Sequence, residues 1–188
     1  MAEETVPAAA SVRAAPRAVW VLALTAVLVV VADIITKTLV VAHLDPDRPV
    51  RLLGGAVYLS VTRNSGAAFS LGTGLTLVFP LVSLLVIGWI GWMGLRLRST
   101  PWGVALGLVL GGALGNLGDR LFRAPGFLVG HVVDFISVFA DRGQFFPIFN
   151  VADSGLCCGV VLAILLELTG RRRDGTRVAE VAADRAGD

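Results

Sequence analysis

Long uncharged apolar stretches alternate along the chain with shorter charged ones. Residues 18–32 carry no charge, and the apolar pattern resumes after Asp33 and Lys37 through Val41. Residues 19–41 together are long enough to span a bilayer, for which about 20 residues suffice. The same start also reads as the apolar region of a secretory signal peptide, with Val30 and Ala32 as a poor cleavage site. The resumption past Lys37 favours an uncleaved first transmembrane helix. Residues 71–95, 102–118 and 150–168 predict three further helices, with Pro80 as a kink in the second. Between them, residues 43–69 hold Pro46, Pro49, Gly54-Gly55 and a β-prone run at 57–62, the signature of an ordered extramembrane loop with strands. Residues 119–149 form a second substantial loop. Residues 1–17, rich in Ala and Pro, predict a flexible tail and residues 170–188 a polar one, leaving a membrane domain at 18–169.

Composition strengthens this reading. The chain of 188 residues is 55% apolar and only 16% charged, with a mean hydropathy of +0.79. Soluble domains carry roughly 25% charged residues. So small a core cannot hide this surplus, which must face lipid. A disordered protein, a soluble enzyme and a nucleic-acid binder are all disfavoured, and the net charge of +2 gives no field for a polyanion. The neighbouring Cys157 and Cys158 suggest neither a disulfide framework nor a metal site. No zinc spacing, Walker loop or GxGxxG is present, so no metal or cofactor is expected.

Charge placement orients the helices. Four spans put both termini on one side. Arg13, Arg17, Arg96, Arg98, Arg171, Arg172, Arg173 and Arg177 flank that side, against Arg48, Arg51, Arg63, Arg120, Arg123 and Arg142 in the long loops. The margin by count is thin, but the 96–98 turn and the 171–173 run contain no acid. The positive-inside rule then puts the termini in the cytoplasm and both loops outside. Gly103, Gly107, Gly111 and Gly115 recur every four residues, which lays them on one face of the third helix for close packing.

Ionisable groups at membrane depth are costly and mark function by default. Asp33 and Lys37, four apart, share a helix face. They serve either as a buried ion pair that orients the first helix or as support for a nearby site. In Arg63-Asn64-Ser65-Gly66-Ala67-Ala68-Phe69, Asn64 suits a cap for the second helix and Gly66 permits close approach. The run Gly111-Gly112-Ala113-Leu114-Gly115-Asn116-Leu117-Gly118-Asp119-Arg120 ends in a polar cluster or in plain surface charges, where Asp119 can pair with Arg120. Asp134 stands alone among apolar residues in 131–136, and Asp153 lies near the start of the fourth helix, after Asn150. Apolar surroundings raise an acid's pKa. Two such acids brought together share a proton, which supplies a base and an acid for hydrolysis. From the residues alone, a catalytic pair, a proton or ion pathway and structural hydrogen bonding all stay open. A transporter would place its acids near the midplane, whereas Asp119, Asp134 and Asp153 fall toward one face. A Ser/His/Asp triad using His131 lacks a nucleophile elbow.

In order, 33–37 (Asp-Ile-Ile-Thr-Lys), 64–69, 111–120, 132–135 (Val-Val-Asp-Phe) and 149–153 (Phe-Asn-Val-Ala-Asp) resemble bacterial lipoprotein signal peptidase, signal peptidase II. The resemblance implies a mainly α integral membrane protein of four transmembrane helices, with a small extracytoplasmic β-sheet and a mobile lid. It implies an aspartic endopeptidase of the bacterial inner membrane that cuts diacylglyceryl-modified prolipoproteins just before the lipidated Cys. Asp134 and Asp153 match the catalytic dyad. Asn64, Gly66, Asn116, Arg120 and Asn150 match the site lining, and Asp33 with Lys37 the supporting pair. Membrane lipids and globomycin-type inhibitors are the implied partners besides substrate, and a monomer is expected. Ile34 departs from a commonly polar position, and the linker 122–130 is longer than usual.

Overall fold

The computed structural model describes residues 16–66 and 77–177. Among them the order is α1 (Pro16–His43), β1 (Val50–Leu52), β2 (Val57–Asn64), α2 (Val78–Gly94), α3 (Thr100–Phe122), β3 (Val132–Val138) and α4 (Val151–Leu168). The expected helices and the β-prone run are all present. Residues 71–76 of the expected second helix, Ala67 to Phe69 and most of both tails lie outside the described residues. Helices α1, α3 and α4 are long and apolar enough to cross a membrane, whereas α2 is apolar but shorter as described. The protein is therefore mainly helical and membrane-embedded, with a small antiparallel sheet.

The glycine stripe of α3 sets the packing. A Cβ on Gly103 would lie 2.7 Å from the Ala18 carbonyl oxygen, one on Gly107 2.7 Å from that of Leu22, and one on Gly111 2.8 Å from that of Ala26. A Cβ on Gly115 would lie 2.7 Å from Asp33 Oδ2. Contacts that advance together along both helices, in steps of four over Ala18, Leu22 and Ala26, mean that α1 and α3 run parallel with their backbones in near contact. On another face of α3, Gly112 abuts Ala152 and Leu156, while Gly159 of α4 abuts Ala105 and Val109, an antiparallel pairing. Leu24, Leu28, Val31 and Ile35 of α1 and Val160, Val161 and Ile164 of α4 are exposed. They form the apolar exterior that lipid covers.

At one end of the bundle Leu22, Ile90, Met93, Leu97, Trp102 and Leu166 form the main apolar cluster. At the other end lies the three-stranded sheet, ordered β1-β2-β3. Thr62 of β2 faces Asp134 of β3 in register. Period-two alternation splits β3: Val133 and Phe135 pack with Val40 at the end of α1, while Val132 and Asp134 line a cavity among the helices. Phe149 bridges to Ile136, with Ile136 N donating to its carbonyl at 2.8 Å and its own N returning a bond at 3.0 Å. That bridge brings the start of α4 against β3.

Candidate active site

The cavity has a volume of about 430 Å³. Asp134 and Asp153 both line it, with Asn64, Gly66, Asn116 and Arg120. Val82, Val86, Ala113 and Leu156 form its apolar wall. Both acids sit at the sheet end of the bundle: Asp134 is in β3, and Asp153 is in the first turn of α4.

Each carboxylate is held by asparagines. Asn64 Nδ2 donates to Asp134 Oδ2 at 2.9 Å, and Asn150 Nδ2 to Asp134 Oδ1 at 2.6 Å. Asn116 Nδ2 donates to Asp153 Oδ1 at 2.7 Å. Asn150 also caps α4, its Oδ1 accepting from Asp153 N at 2.9 Å while Asp153 Oδ2 accepts from Asn150 N at 3.1 Å. This reciprocal capping box satisfies two backbone donors at the helix start. Asn150 is fully buried behind the cavity and reaches Asn116 Oδ1 at 3.1 Å, which links the supports of the two acids. Burial pushes the Asp134 carboxyl up from 3.8 to about 6; the Asp153 charge adds to the rise, while the bonds from Asn64 and Asn150 oppose it.

Asn64 ends β2, whose antiparallel pairing with β3 brings its side chain to Asp134, and its Oδ1 accepts from Gly66 N at 2.8 Å; the start of the expected second helix lies outside the described residues. Gly66 has φ +98°, and a Cβ there would meet Phe79 at 3.0 Å, so both conformation and space call for glycine. Arg120 donates from Nη1 to the Gly130 carbonyl at 3.0 Å and lies over the Phe79 ring.

Asp33 and Lys37 lie behind the cavity, each only 1% exposed. Lys37 Nζ is 2.7 Å from Asp33 Oδ2, 2.9 Å from Asp119 Oδ2 and 3.1 Å from Asn116 Oδ1. Asp33 Oδ1 accepts from Ala152 N at 3.0 Å. The pair thus both orients α1 and supports the site, through Asn116 and the first turn of α4. Neither Asp119 nor Arg120 is a surface charge, and they do not pair with each other. Asp119 is buried and bonds Lys37, Arg123 and, at 3.1 Å, Val133 N. The role of Asp119 and the contribution of Arg123 were missed from sequence, although a signal existed. Extending the glycine spacing by one step, from Gly115 to Asp119, places that acid on the face toward α1, level with Lys37.

The departures from the family pattern leave the cavity intact. Ile34 is exposed on the outer face of α1. The long linker folds back on the end of α3, with Gly130 N donating to the Arg120 carbonyl at 3.1 Å and His131 N to that of Ala124 at 2.9 Å.

The family model for signal peptidase II matches residues 25–169, which include all these side chains. The lipoprotein signal peptidase of Rhodococcus jostii (strain RHA1) is 52% identical over 149 residues, covering 79% of this chain and 73% of that protein. The one from Mycobacterium avium (strain 104) is 46% identical over 170 residues, covering 90% and 91%. A solved bacterial membrane enzyme, determined by the in meso method at 1.9 Å resolution, matches with a TM-score of 0.71 at 30% identity, covering 84% of this chain and 97% of that one. Sequence motifs, fold and family match agree over one continuous region, and the chain belongs to the signal peptidase II family of membrane proteases that act in lipoprotein processing.

Proposed function

We propose that this chain is an aspartic endopeptidase that removes signal peptides from diacylglyceryl-modified prolipoproteins, cutting just before the lipidated Cys. The observation that carries the reading is the pair Asp134 and Asp153 lining one cavity that is apolar on its membrane side. With α2 as the fourth span beside α1, α3 and α4, the arginine-rich flanks put the termini in the cytoplasm and the dyad at the extracytoplasmic face of the inner membrane. Water and a membrane-held substrate meet there. A conduction path would need acids at the midplane, and these gather at one end.

Asp134, the carboxyl raised by burial, holds the shared proton, and Asp153 is the base. Asp153 takes a proton from water as the oxygen attacks the scissile carbonyl, and Asp134 gives its proton to the carbonyl oxygen. Collapse of the resulting diol returns a proton to Asp134, while Asp153 protonates the leaving amine. The asparagines fix both carboxylates, and the apolar wall takes the lipid chains. Globomycin-type peptides compete for the same cavity.

The test incubates the purified protein with diacylglyceryl-modified and unmodified prolipoprotein and locates the cut by mass analysis. The modified form is cut before its Cys and the unmodified form poorly. Asp134→Asn and Asp153→Asn each abolish cleavage while staying folded, and the double variant is hardly worse, because the pair acts as a unit. A folded single variant that cuts at the parental rate would refute the two-aspartate mechanism.

A further inference from the structure

Asp134 lies between two cavities. One is the apolar-walled cavity among the helices, and the other, of about 360 Å³, opens on the sheet side. Asn64 and Asp134 line both, while Thr62, Arg63, Ser65 and Arg142 line the second alone. Asp134 is the one carboxylate in that lining among the described residues, and in the proposed mechanism it carries the shared proton. Asp45 and Asp141, close in the chain, do not line the cavity: Asp45 accepts from Asp47 N at 2.9 Å, and Asp141 from Gln144 Nε2 at 3.2 Å. The carboxyl that meets an apolar wall on its membrane side therefore meets a polar, cationic space on the other.

Arg142 is held at this cavity by a built turn. Its φ is +54°, a left-handed conformation that a side chain of this size rarely adopts. Such a residue persists only where its surroundings over-determine it. Two buried hydroxyls do so here, those of Ser60 and Ser137. Ser137 Oγ donates to the Ala140 carbonyl at 2.6 Å and accepts from Gly143 N at 3.0 Å, and Ser60 Oγ accepts from Arg142 N at 3.3 Å. Arg142 Nη2 donates to the Asp47 carbonyl at 3.0 Å, which engages one of the five N–H donors of a guanidinium. Arg63 joins the lining from β2, opposite Val133 in register. Ser60 precedes Thr62, the partner of Asp134, by two residues. The Arg142 backbone therefore stands about 7 Å along the strand from the Asp134 row, the reach of two extended residues.

We propose that this second cavity receives the first residues after the lipidated Cys, and that Arg63 and Arg142 select an acidic side chain two or three places beyond it. The placement rests on the endopeptidase activity proposed above. The apolar cavity takes the lipid and the signal segment, so the polypeptide that follows the cut leaves on the polar side of Asp134, past the two arginines. The test uses the purified full chain in detergent and three diacylglyceryl-modified prolipopeptides. They differ only at the second and third places after the Cys, which are Glu-Glu, Gln-Gln or Lys-Lys. An exposed ion pair is worth a factor of up to about five, so kcat/KM should be about three- to ten-fold higher for Glu-Glu than for Gln-Gln, and lowest for Lys-Lys. Arg142→Asn, which suits a positive φ, should cut the Glu-Glu preference at least about two-fold, and Arg142→Lys should keep most of it. Arg63→Gln/Arg142→Asn should abolish it, while Arg51→Gln on β1 leaves it unchanged. A merely structural role for Arg142 would slow all three peptides alike and leave their ratio as it was. Equal kcat/KM for Glu-Glu and Lys-Lys in the parent, or an undiminished ratio in the double variant, would overturn the subsite and leave the endopeptidase reading standing. Cleavage of none of the peptides would overturn that reading, and the subsite is then read from thermal unfolding. The diacylglyceryl-Cys-Glu-Glu product peptide should raise the Tm more than its Lys-Lys counterpart, and equal shifts would overturn the subsite.

Discussion

Among the described residues Lys37 is the one cation that Asp33 contacts, and replacing it by methionine measures how far the site's support depends on buried charge. Lys37→Met keeps the length of the side chain and removes only the ammonium, so packing changes little. Asp33 then retains the Ala152 N–H alone, while Asp119 keeps Arg123 and the Val133 N–H. Removing one partner of a buried ion pair costs about 3–5 kcal/mol. The retained Arg123 holds the loss within that range rather than doubling it for two acids. For a chain of this size each kcal/mol shifts Tm by about 2–4 °C, so the fall should be roughly 6–20 °C. Lys37→Met/Asp33→Asn removes the stranded charge while keeping an acceptor for Ala152 N, and it should recover at least half of the loss. The assay is thermal unfolding of the intact chain in detergent, with parent, both singles and the double forming a cycle. A single variant within about 2 °C of the parent, or a double no better than Lys37→Met, would refute the reasoning.

Further outcomes follow from the same geometry. Cleavage kcat/KM should fall as pH rises through about 6, where Asp134 loses the proton it donates. The raised pKa also means that the folded state binds that proton more tightly than the unfolded chain does. This stabilisation of about 3 kcal/mol is complete below 3.8 and lost as pH rises through 6; Tm against pH should show the slope, and Asp134→Asn should flatten it. Asp119→Asn should cost about 3 kcal/mol in thermal unfolding, because it takes one partner from a buried cluster, and an unchanged Tm would contradict the cluster. Gly112→Val should cost at least about 1–3 kcal/mol and reduce cleavage, since a side chain there collides with the Ala152 carbonyl and with Leu156.

What the sequence made legible follows from where its signals are local. Uncharged runs mark membrane helices because lipid demands them, and the isolated acids stand out because charge there is expensive. The glycine step of four announced its own packing face. The interior face of α1 was not legible from hydrophobicity. Its buried positions include Ala18, Ala26, Asp33 and Lys37, while Trp20, Leu24 and Leu28 face outward. In a membrane helix, size and polarity select the inside, so the usual apolar stripe is absent. Pairings across long separations were equally hidden. Asn64 could be read as a cap because cap and strand-end residues share a composition. Its bond to Asp134 depends on the β2–β3 register, which includes a shift between Leu59 and Thr62.

The supports of the two acids converge on Asn150. Its Oδ1 starts α4 by capping Asp153 N, and its amide holds Asp134 and reaches Asn116, which holds Asp153 in turn. Asn116 Oδ1 also accepts from Lys37, and Asp33 fixes Ala152 N in the same first turn of α4. Each of these bonds satisfies a buried polar group that would otherwise cost about 1–3 kcal/mol. The network therefore pins α1, α3, α4 and β3 together for the sake of folding, and in doing so it fixes both carboxylates against the cavity. Folding and pre-organisation are the same set of bonds at this end of the bundle. Asn116 suits its place between Asp153 and Lys37: its amide donates to the carboxylate and accepts from the lysine at once, and it adds no charge beside either acid.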